Sequence, residues 1–507
     1  MTRRLYPLLV LCILLAGAFG ARVAKLGTYG FWTDEMYHVV AAQSLAETGR
    51  PYLPAYRTGE YKRAYPVTAV TAWAFARFGT SEAAARAPFV AINMAFLVLF
   101  FFVVRRWFNV HLALIGVLAL ALIPHELILG REVRMYGLFQ LLYFAAAALL
   151  YEILESPLTR GRRALLLAAA LAVIALAAWV QALAVNLGIA LGAHCLGMLS
   201  SRSGAGRRGR YALVLALIAG GALAVWFAVP WIVDWLVIAA RERPPWAQTT
   251  PPFTYYSWFF TYYYPAFTFL YPLGAALLVR DHGRRGWFVV ASFVPLLVAH
   301  VIFFTGRAEE RYVSYLLPYF VLGAGYAIQL AAAALGRMIA AEWRRGARVL
   351  AALLLLAALP GTGLLAHTWF RESMNLVRYG YGPNWKTVAP VLRALPADAV
   401  LISPWPLHLA YYGERFPDYI LRPYQPEDGR APEGRLGARP VALRWLFDAA
   451  ELERIAAAAP ALRLVTTEWA LANDAYTPPA VREAIERLLK REEHPGDPGV
   501  LLFTKPE

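Results

Sequence analysis

The sequence predicts a mainly α-helical polytopic membrane protein, with about eleven transmembrane helices and a C-terminal extracytoplasmic α/β domain. Composition is the first reason: 59% of the 507 residues are hydrophobic and 16% are charged, whereas soluble domains are about 45–50% apolar and about 25% charged. The second reason is a series of apolar runs, each long enough to cross about 30 Å of hydrocarbon. The third is the concentration of Lys and Arg in alternate loops.

Eleven apolar runs account for the helical part of the prediction. The first also resembles a signal peptide, because Met-Thr-Arg-Arg precedes it and small residues follow it. Cleavage there would leave the later topology unchanged. The runs lie at residues 5–21, 88–104, 112–128, 135–151, 164–181, 182–199, 211–230, 257–279, 287–304, 312–335 and 348–367.

The basic residues predict the orientation of these helices. If the N-terminus is cytoplasmic, the inside segments hold 18 Lys and Arg residues and the short outside loops hold 6. Cytoplasmic loops carry such an excess, so we expect a multi-pass protein of the inner (plasma) membrane with a cytoplasmic N-terminus. The net charge of +16 is then a topology signal, and nucleic acid is not an expected partner.

Two outside segments are too long to be simple connectors. The first external loop, 22–87, contains amphipathic stretches at 35–47 and 66–78, which we expect to form juxtamembrane helices. In the tail, 370–507, short β-like runs alternate with helical segments, which predicts an α/β domain. The predicted domains are therefore a transmembrane domain, 1–369, and an extracytoplasmic domain, 370–507.

Several classes of site are not indicated by the sequence. Cys12 and Cys195 both lie in apolar runs, so neither a disulfide framework nor a Cys/His metal cluster is indicated. The tail contains no GxGxxG, GKS or GKT pattern, so a soluble nucleotide site is not expected. The chain shows no internal repeat, which weakens the interpretation as an inverted-repeat transporter.

Four outside segments carry the polar and aromatic residues that we expect to meet on one face of the membrane. Such a set suits a phosphate-bearing lipid and a hydroxylated partner, because Arg donates to phosphate oxygens and a carboxylate accepts a proton. Aromatic rings stack on sugars or prenyl chains. The segments are FWTDEMYHVV (31–40) with the residues up to Tyr65, GREVRMYG (130–137), FTYYSWFFTYYYPAF (253–267) and TGRAEERYVSY (305–315).

These residues also have purely structural interpretations, which the sequence leaves open. Asp34 could be the N-cap of a helix that begins near Glu35, and Glu35 a first-turn carboxylate favoured by the helix dipole. The aromatic band could be an ordinary interfacial belt. Further alternatives are snorkelling for Arg131 and Arg134, pairing of Arg311 with Glu309 or Glu310, and structural or interfacial roles for His38, His125 and His300.

The first external loop resembles that of the membrane-embedded GT-C glycosyltransferases. The resemblance rests on WTDE-x-Y, followed by a small-residue helix and the turn Gly49-Arg50-Pro51. The order of later stretches is also similar: FGTSEAAARAPFVAINM (78–94), RRWF (105–108), REVRMY (131–136) and ERY-x-x-x-x-LP (310–318). The most similar branch is bacterial, with the protein O-mannosyltransferases (glycosyltransferase family 39) and the lipid A aminoarabinose transferase. The resemblance covers most of residues 20–330 in order, and the tail is similar only in being external and α/β.

The resemblance implies transfer of a sugar from a polyprenyl or dolichyl phosphate to an acceptor outside the cytoplasm. The family's first-loop Asp falls on Asp34, which would be the general base. The family's Glu-Lys pair falls on Lys62 and Arg63, so Lys62 replaces the acid and puts a metal-ligating role of that acid in doubt. The second Asp of the mannosyltransferase Arg-x-x-Arg-Met-Asp stretch falls on Tyr136, which argues against a two-aspartate site. No cofactor is certain, and a divalent metal stays open.

The expected catalytic residue is Asp34, which would remove the acceptor proton and give inversion at the sugar. Arg311, with Arg63 or Arg134, would stabilise the leaving phosphate, and Arg311 and Tyr312 match the family's ERY pattern. The residues expected to bind substrate are Glu35, Tyr37, Lys62, Arg63, Tyr65, Arg131, Arg134, Tyr136, Tyr264, Arg307, Arg311 and Tyr312.

The predicted function is therefore that of a membrane glycosyltransferase. Its expected partners are a polyprenyl-phosphate sugar donor, the lipid bilayer, and a lipid, glycan or protein acceptor. The alternatives are a polyprenyl-linked sugar carrier or flippase, and a scaffold whose tail does the work. A transporter should show polar or broken helices near the middle of the membrane, whereas polar groups here concentrate at one interface. We expect Asp34→Asn to leave a folded, membrane-inserted protein with transfer nearly abolished, and Glu35→Gln to be milder.

Overall fold

The computed structural model describes helices along the first two thirds of the chain and a mixed α/β region near its end. The described residues are 2–53, 59–228, 250–303, 308–335, 383–421, 433–436, 439–442, 444–446, 448–474, 476–492, 497 and 499–506. The predicted apolar run at 348–367 lies outside them, and so does Arg307 among the predicted site residues.

Numbered in chain order, the α-helices of the described residues are α1 to α20: Thr2–Val23, Thr33–Thr48, Tyr65–Phe78, Glu82–Trp107, Val110–Leu122, Pro124–Leu129, Met135–Glu155, Arg160–Val180, Asn186–Ser200, Arg208–Ala228, Pro252–Tyr263, Pro265–His282, Arg284–Ala291, Val294–Phe303, Leu317–Leu335, Trp385–Arg393, Pro406–Tyr412, Ala449–Ala458, Glu468–Ala472 and Pro479–Leu488. Short 3₁₀ helices lie at Ala182–Val185, Arg202–Arg207, Glu310–Tyr312 and Ser314–Leu316. The strands β1 to β8 are Val400–Ser403, Tyr419–Leu421, Glu433–Leu436, Arg439–Ala442, Arg444–Leu446, Leu462–Thr467, Lys490–Glu492 and Val500–Thr504.

Seven helical segments of the described residues are long and apolar enough to cross a membrane. They coincide with seven of the predicted runs, so the prediction of a mainly helical polytopic membrane protein is confirmed. The segments are Leu5–Val23, Glu82–Trp107, Met135–Glu155, Arg160–Val180, Ala182–Ser200, Arg284–Phe303 and Ser314–Ala334. The predicted run at 211–230 corresponds to α10, Arg208–Ala228.

Three predicted runs, 112–128, 257–279 and 287–304, are each divided between two helices. In the first two, a proline opens the second helix. The first is interrupted at Ile123, where ψ is 122° before Pro124 opens α6. The second is interrupted at Tyr264, where φ is −134° and ψ is 46° before Pro265 opens α12. Proline has no N–H to donate, and its ring disfavours the helical conformation of the residue before it. Each proline therefore ends one helix and starts the next.

The chain folds as two compact units. The first holds the described residues of Met1–Ala24, Phe89–Arg131 and Met135–Met374, and the second those of Lys25–Pro88, Glu132–Arg134 and Asn375–Glu507. The first external loop therefore lies in the same unit as the C-terminal α/β region. The domains expected from the sequence, 1–369 and 370–507, divide the chain differently. They place the first external loop with the membrane spans, because the loop lies between two spans in the chain.

Within the first unit, α12 and α15 approach each other closely. A Cβ on Gly274 would lie 2.0 Å from the carbonyl oxygen of Gly323, so only glycine fits at this crossing. Aromatic rings fill the space beside it: the Phe320 ring lies 5.6 Å from Tyr271 and 5.3 Å from Phe293. These contacts give the helical unit a packed aromatic core.

Within the second unit, a six-stranded sheet has the order β5-β2-β1-β6-β8-β7. The pairs from β5 to β6 are parallel, and β6–β8 and β8–β7 are antiparallel. Its core includes the fully buried Ile402, Leu464 and Ile485. The prediction of a C-terminal α/β domain is thus confirmed. From the first external loop, α2 packs against both α3 and α17.

Candidate active site

The acidic pair lies in the first turn of α2, in the second unit. Trp32 has extended backbone (φ −82°, ψ 167°) and precedes the helix, which begins at Thr33. The Trp32 N–H donates to Glu35 Oε2 at 3.3 Å. Asp34 is therefore the second residue of the helix, and the alternative that it serves as the N-cap is wrong. Glu35 takes part in the cap instead, as acidic residues at the third helical position commonly do.

Glu35 is fully buried, with 0% of its surface exposed. Arg86 donates to it twice, from Nε to Oε1 at 3.0 Å and from Nη2 to Oε2 at 2.6 Å. The Val133 N–H also donates to Oε1, at 3.0 Å. Both carboxylate oxygens are thus occupied by protein donors. This geometry binds Glu35 to Arg86 and to the Val133 backbone, and the substrate contact expected of it from the sequence stays a prediction.

Asp34 is the accessible member of the pair. Its side chain is 27% exposed, and its Oδ2 lies 2.9 Å from Arg134 Nη2. Arg134 also donates to the Asp34 carbonyl oxygen at 2.8 Å, and its guanidinium lies 5.8 Å from the Trp32 ring centroid. Arg134 is 4% exposed, so the snorkelling alternative does not describe it. The structure therefore holds a solvent-accessible carboxylate in a fixed orientation against a buried guanidinium.

His38, one turn after Asp34, is buried beside the same guanidinium. Its Nδ1 lies 3.0 Å from Thr68 Oγ1, and its ring meets Tyr61 edge-on at 5.0 Å. Burial lowers the pKa of His38 well below its usual value, and the charges of Arg134 and Arg63 lower it further. The imidazole is therefore neutral at pH 7, in keeping with the structural role expected for it.

The remaining predicted residues of the first loop surround this turn. The Tyr37 ring stacks on Tyr61 at 5.9 Å. Lys62 and Arg63 are both exposed, and Lys62 Nζ lies 3.0 Å from Glu60 Oε2. Tyr65 is half-buried at the start of α3. The charge of Arg63 lowers the pKa of His38, which indicates that the exposed Arg63 guanidinium lies near α2.

The C-terminal region of the second unit holds the segment that leads into Asp34. The Gly30 N–H donates to Asn384 Oδ1 at 2.7 Å, and the Phe31 N–H donates to Tyr412 Oη at 2.7 Å. His408, one turn before Tyr412 on α17, forms a hydrogen bond with the Phe31 backbone as well. The backbone three and four residues before Asp34 is therefore fixed by side chains of the tail.

Glu82 and Arg86 join the same arrangement from the start of α4. Glu82 accepts from Tyr412 Oη at 3.1 Å and from Lys386 Nζ at 3.0 Å, and Lys386 also donates to the Gly27 carbonyl at 2.8 Å. Arg86 donates to the carbonyls of Leu26, Tyr29 and Gly30. Sequence reasoning missed these partners; the signal available was the charged stretch EAAAR directly before an apolar run.

The other predicted residues lie in the first unit. The rings of Tyr136 and Tyr312 are 6.3 Å apart, and Arg311 pairs with Glu309, as one of its alternatives supposes. Tyr264 is 0% exposed, and its Oη lies 2.6 Å from Nδ1 of His125. Arg131, 6% exposed, donates to the Ala24 carbonyl at 2.9 Å, so it does not snorkel. Substrate contacts of these residues stay predictions.

A buried polar network inside the first unit was not expected. Arg22 Nε donates to Asn93 Oδ1 at 2.6 Å. Gln140 Nε2 donates to Glu126 Oε1 at 2.7 Å and to the Ser314 carbonyl at 3.1 Å. All five residues are buried. Single polar residues within apolar runs are the sequence signal for such a network.

The described residues around Asp34 do not fit a divalent metal. Its cationic partner is the Arg134 guanidinium, at 2.9 Å, and both oxygens of Glu35 accept from protein donors. Nowhere in the described ranges do three His, Cys, Asp or Glu side chains group as ligands for a metal ion.

Comparison with known proteins relates the chain to solved structures only. No family model and no curated protein matches its sequence. The crystal structure of ArnT from Cupriavidus metallidurans in the apo state matches with a TM-score of 0.62 and 14% identity, covering 99% of this chain and 98% of that chain. The same protein bound to undecaprenyl phosphate gives 0.63 and 13%, covering 97% of each. The archaeal oligosaccharyltransferase AglB from Archaeoglobus fulgidus, in complex with an inhibitory peptide and a dolichol-phosphate, gives 0.62 and 14%, covering 100% of this chain and 75% of that chain.

Proposed function

From the GT-C fold that this chain shares with ArnT and AglB, we propose that it is an integral-membrane glycosyltransferase. It transfers a sugar from a polyprenyl-phosphate-linked donor to an acceptor on the extracytoplasmic face, with inversion. The comparison structures support the lipid, since one contains undecaprenyl phosphate and another a dolichol-phosphate. The acceptor is a lipid, a glycan or a protein.

The observation that carries the proposal is the exposure and the fixed orientation of the Asp34 carboxylate. It is a carboxylate that solvent reaches, 27% exposed, and a buried arginine orients it. A general base needs this combination, because it must approach the acceptor proton and keep one orientation. Neighbouring Glu35 has none of this freedom, being fully buried. The two acids thus divide into a reactive group and an anchor.

The proposed reaction is a single displacement at the anomeric carbon. The acceptor hydroxyl oxygen bonds to that carbon while the bond from the carbon to the phosphate oxygen breaks. The hydroxyl proton goes to Asp34, and the electron pair of the broken bond leaves with the polyprenyl phosphate. Attack from the side opposite the leaving group inverts the sugar. A positioned base contributes about 10²–10⁴-fold to such a step.

The growing negative charge on the leaving phosphate needs a cation. Arg63 is an exposed cation of the second unit, close enough to α2 to affect His38. Arg134 is committed to Asp34, so we assign it to positioning the base and assign Arg63 to the phosphate. Arginine suits this role because its planar fork of donors matches phosphate oxygens.

The proposal is tested with purified protein in detergent and synthetic polyprenyl-phosphate sugars of several kinds. We expect wild-type protein to release polyprenyl phosphate in the presence of the correct acceptor, and Asp34→Asn to release almost none. Mass spectrometry of envelope lipids, glycans and proteins, in cells with and without the intact gene, identifies the sugar by the missing mass increment. Unchanged envelope products together with failed polyprenyl-sugar translocation would establish the carrier or flippase instead.

A further inference from the structure

The α/β sheet has one position where two neighbouring parallel strands send the chain in opposite directions. β1 and β6 pair in parallel, with Val400 opposite Leu462 and Ile402 opposite Leu464. After β1 the chain continues to β2 on one side, and after β6 it continues toward β7 and β8 on the other. In open α/β sheets, ligands bind beyond the carboxyl ends of the strands at such a switch point.

Three aromatic rings stand together beyond these two strand ends. Trp405 comes two residues after the end of β1, and Trp469 two residues after the end of β6. Their ring centroids are 6.2 Å apart, and the Tyr476 ring lies 5.5 Å from Trp405 and 4.8 Å from Trp469. We call Trp405, Trp469 and Tyr476 the aromatic platform.

One ring of the platform is open to solvent and the others support it. Trp469 is 52% exposed, whereas Trp405 is 8% exposed. Because two rings contact Trp469, its indole is fixed in orientation. A fixed, exposed aromatic face is costly to leave in water and well suited to a flat apolar ligand surface.

Exposed charged residues lie next to the platform residues in the sequence. Glu468, directly before Trp469, has a side chain 65% exposed and lies 3.5 Å from Arg491. Asp474, two residues before Tyr476, has a side chain 69% exposed and lies 2.6 Å from Arg482. Carboxylates accept from hydroxyl groups and arginines donate to them. The segments that carry the platform thus also supply exposed hydrogen-bonding groups, which we call the charged rim.

We propose that the aromatic platform is a carbohydrate-binding subsite that takes a pyranose of the acceptor. One face of a pyranose presents C–H groups, which pack against the negative face of an indole ring, while its hydroxyls reach the charged rim. The choice of an acceptor sugar rests on the proposed function, since a glycosyltransferase with a glycan acceptor must hold that glycan.

The fold connects this subsite to Asp34 within the same unit. Trp405 directly precedes α17, and Tyr412 ends α17 and accepts the Phe31 N–H. Seven helical residues span about 10 Å. The platform and the segment leading to Asp34 are therefore attached to opposite ends of one short helix.

The test is saturation-transfer difference NMR on the full-length protein in detergent, with the methyl glycosides of glucose, mannose and N-acetylglucosamine as probes. We expect saturable binding of at least one glycoside, about tenfold weaker in Trp469→Ala and retained in Trp469→Phe, which keeps a flat ring. Trp73→Ala is the matched control, because Trp73 on α3 is 55% exposed and outside the platform; its binding should equal that of the wild type.

The same variants separate failure of this inference from failure of the proposed function. Asp34→Asn should bind the glycoside as the wild type does, since binding needs no proton transfer. Normal transfer by Asp34→Asn would overturn the proposed base and leave the subsite standing. No saturable binding to the wild type, or equal binding by Trp469→Ala, would overturn the subsite. Quenching of the Trp469 fluorescence by brominated lipids in nanodiscs, without sugar binding, would place the aromatic platform against the bilayer. That result would also overturn the subsite.

Discussion

At the scale of single residues, burial separates two adjacent acids that the sequence presents as equals. Asp34 and Glu35 have the same charge and neighbouring positions, but one is 27% exposed and the other is enclosed by Arg86. Replacement of either by its amide removes a charge, and the consequences should differ in kind. Activity should respond to the first and folding to the second.

We expect Asp34→Asn to lower the rate of sugar transfer by about 10²–10⁴-fold, because an amide accepts no proton. Folding should be retained, since the Asn oxygen still accepts from Arg134 and the Arg134 bond to the residue 34 carbonyl persists. The measurement is polyprenyl phosphate release, with Glu60→Gln, in an exposed pair with Lys62, as the control. A wild-type rate of transfer in Asp34→Asn would show that Asp34 is not the general base.

Glu35→Gln should destabilise the protein, whereas the sequence predicts only that its effect on sugar transfer is milder than that of Asp34→Asn. It leaves the buried Arg86 without its counter-charge, and breaking a buried ion pair costs about 3–5 kcal/mol. Loss of the exposed Glu60–Lys62 pair should cost about 0–1 kcal/mol. Thermal unfolding in detergent measures both, and equal melting temperatures for the two variants would contradict the anchoring role of Glu35.

His38 should make the protein sensitive to acid. Its pKa is lowered in the folded state, so below about pH 6.5 the unfolded chain binds a proton that the folded chain does not. The stability that neutral His38 contributes is therefore fully present above about pH 6.5. It falls as the pH drops from there toward the pKa of His38 in the folded protein. His408, with its pKa lowered to about 3 by burial, acts in the same direction. His38→Gln should reduce the difference in melting temperature between pH 7.5 and pH 5, and an unchanged difference would exclude His38 as a source.

At the scale of elements, α17 acts as a support for the segment before Asp34. Its residues His408 and Tyr412 both hold the Phe31 backbone. The preceding sequence, Gly30-Phe31-Trp32, has no regular structure of its own, so its conformation depends on such partners. The tail domain therefore takes part in setting the geometry of the first loop.

Tyr412→Phe should lower the rate of transfer with a smaller effect on the KM for the donor. The change leaves the buried Phe31 N–H without its acceptor, at a cost of about 1–3 kcal/mol, and loosens the position of Asp34. Tyr419→Phe is the control, because the Tyr419 hydroxyl accepts from Arg444 at 3.2 Å at the surface of the same domain. Equal rates for the two variants would show that the support is dispensable.

The helices also show how much of the fold can be predicted from the sequence. Hydropathy predicts Met135–Glu155 and Ser314–Ala334 well, because length and composition decide whether a helix can cross a membrane. Hydropathy also predicts a single run across α11 and α12, because a hydropathy average over a window of residues is insensitive to one proline, Pro265. The Asp34 motif was visible locally. Its partners were not, since Asn384 and Tyr412 are separated from it by more than 340 residues, and only folding brings them close.

At the scale of the whole molecule, the orientation in the membrane stays a prediction from the positive charges. Single cysteines in a Cys12→Ser background test it, because Cys195 is buried. We expect Arg454→Cys, exposed on α18, to react with a membrane-impermeant maleimide in intact spheroplasts. Arg208→Cys, exposed at the start of α10, should react only after permeabilisation. The reverse pattern would place the α/β domain in the cytoplasm.

The hold of Tyr412 on Phe31 has a consequence for biosynthesis. The two residues are 381 positions apart, and ribosomes add about 5–20 residues per second. Phe31 therefore leaves the ribosome roughly 20–75 seconds before its partner exists. During that interval Asp34 has been made and its support has not, so the backbone of Gly30 and Phe31 lacks these hydrogen bonds until the tail is translated. Nascent chains stalled before residue 384 should accordingly be cut by protease between Lys25 and Trp32, and completed chains should resist cleavage there.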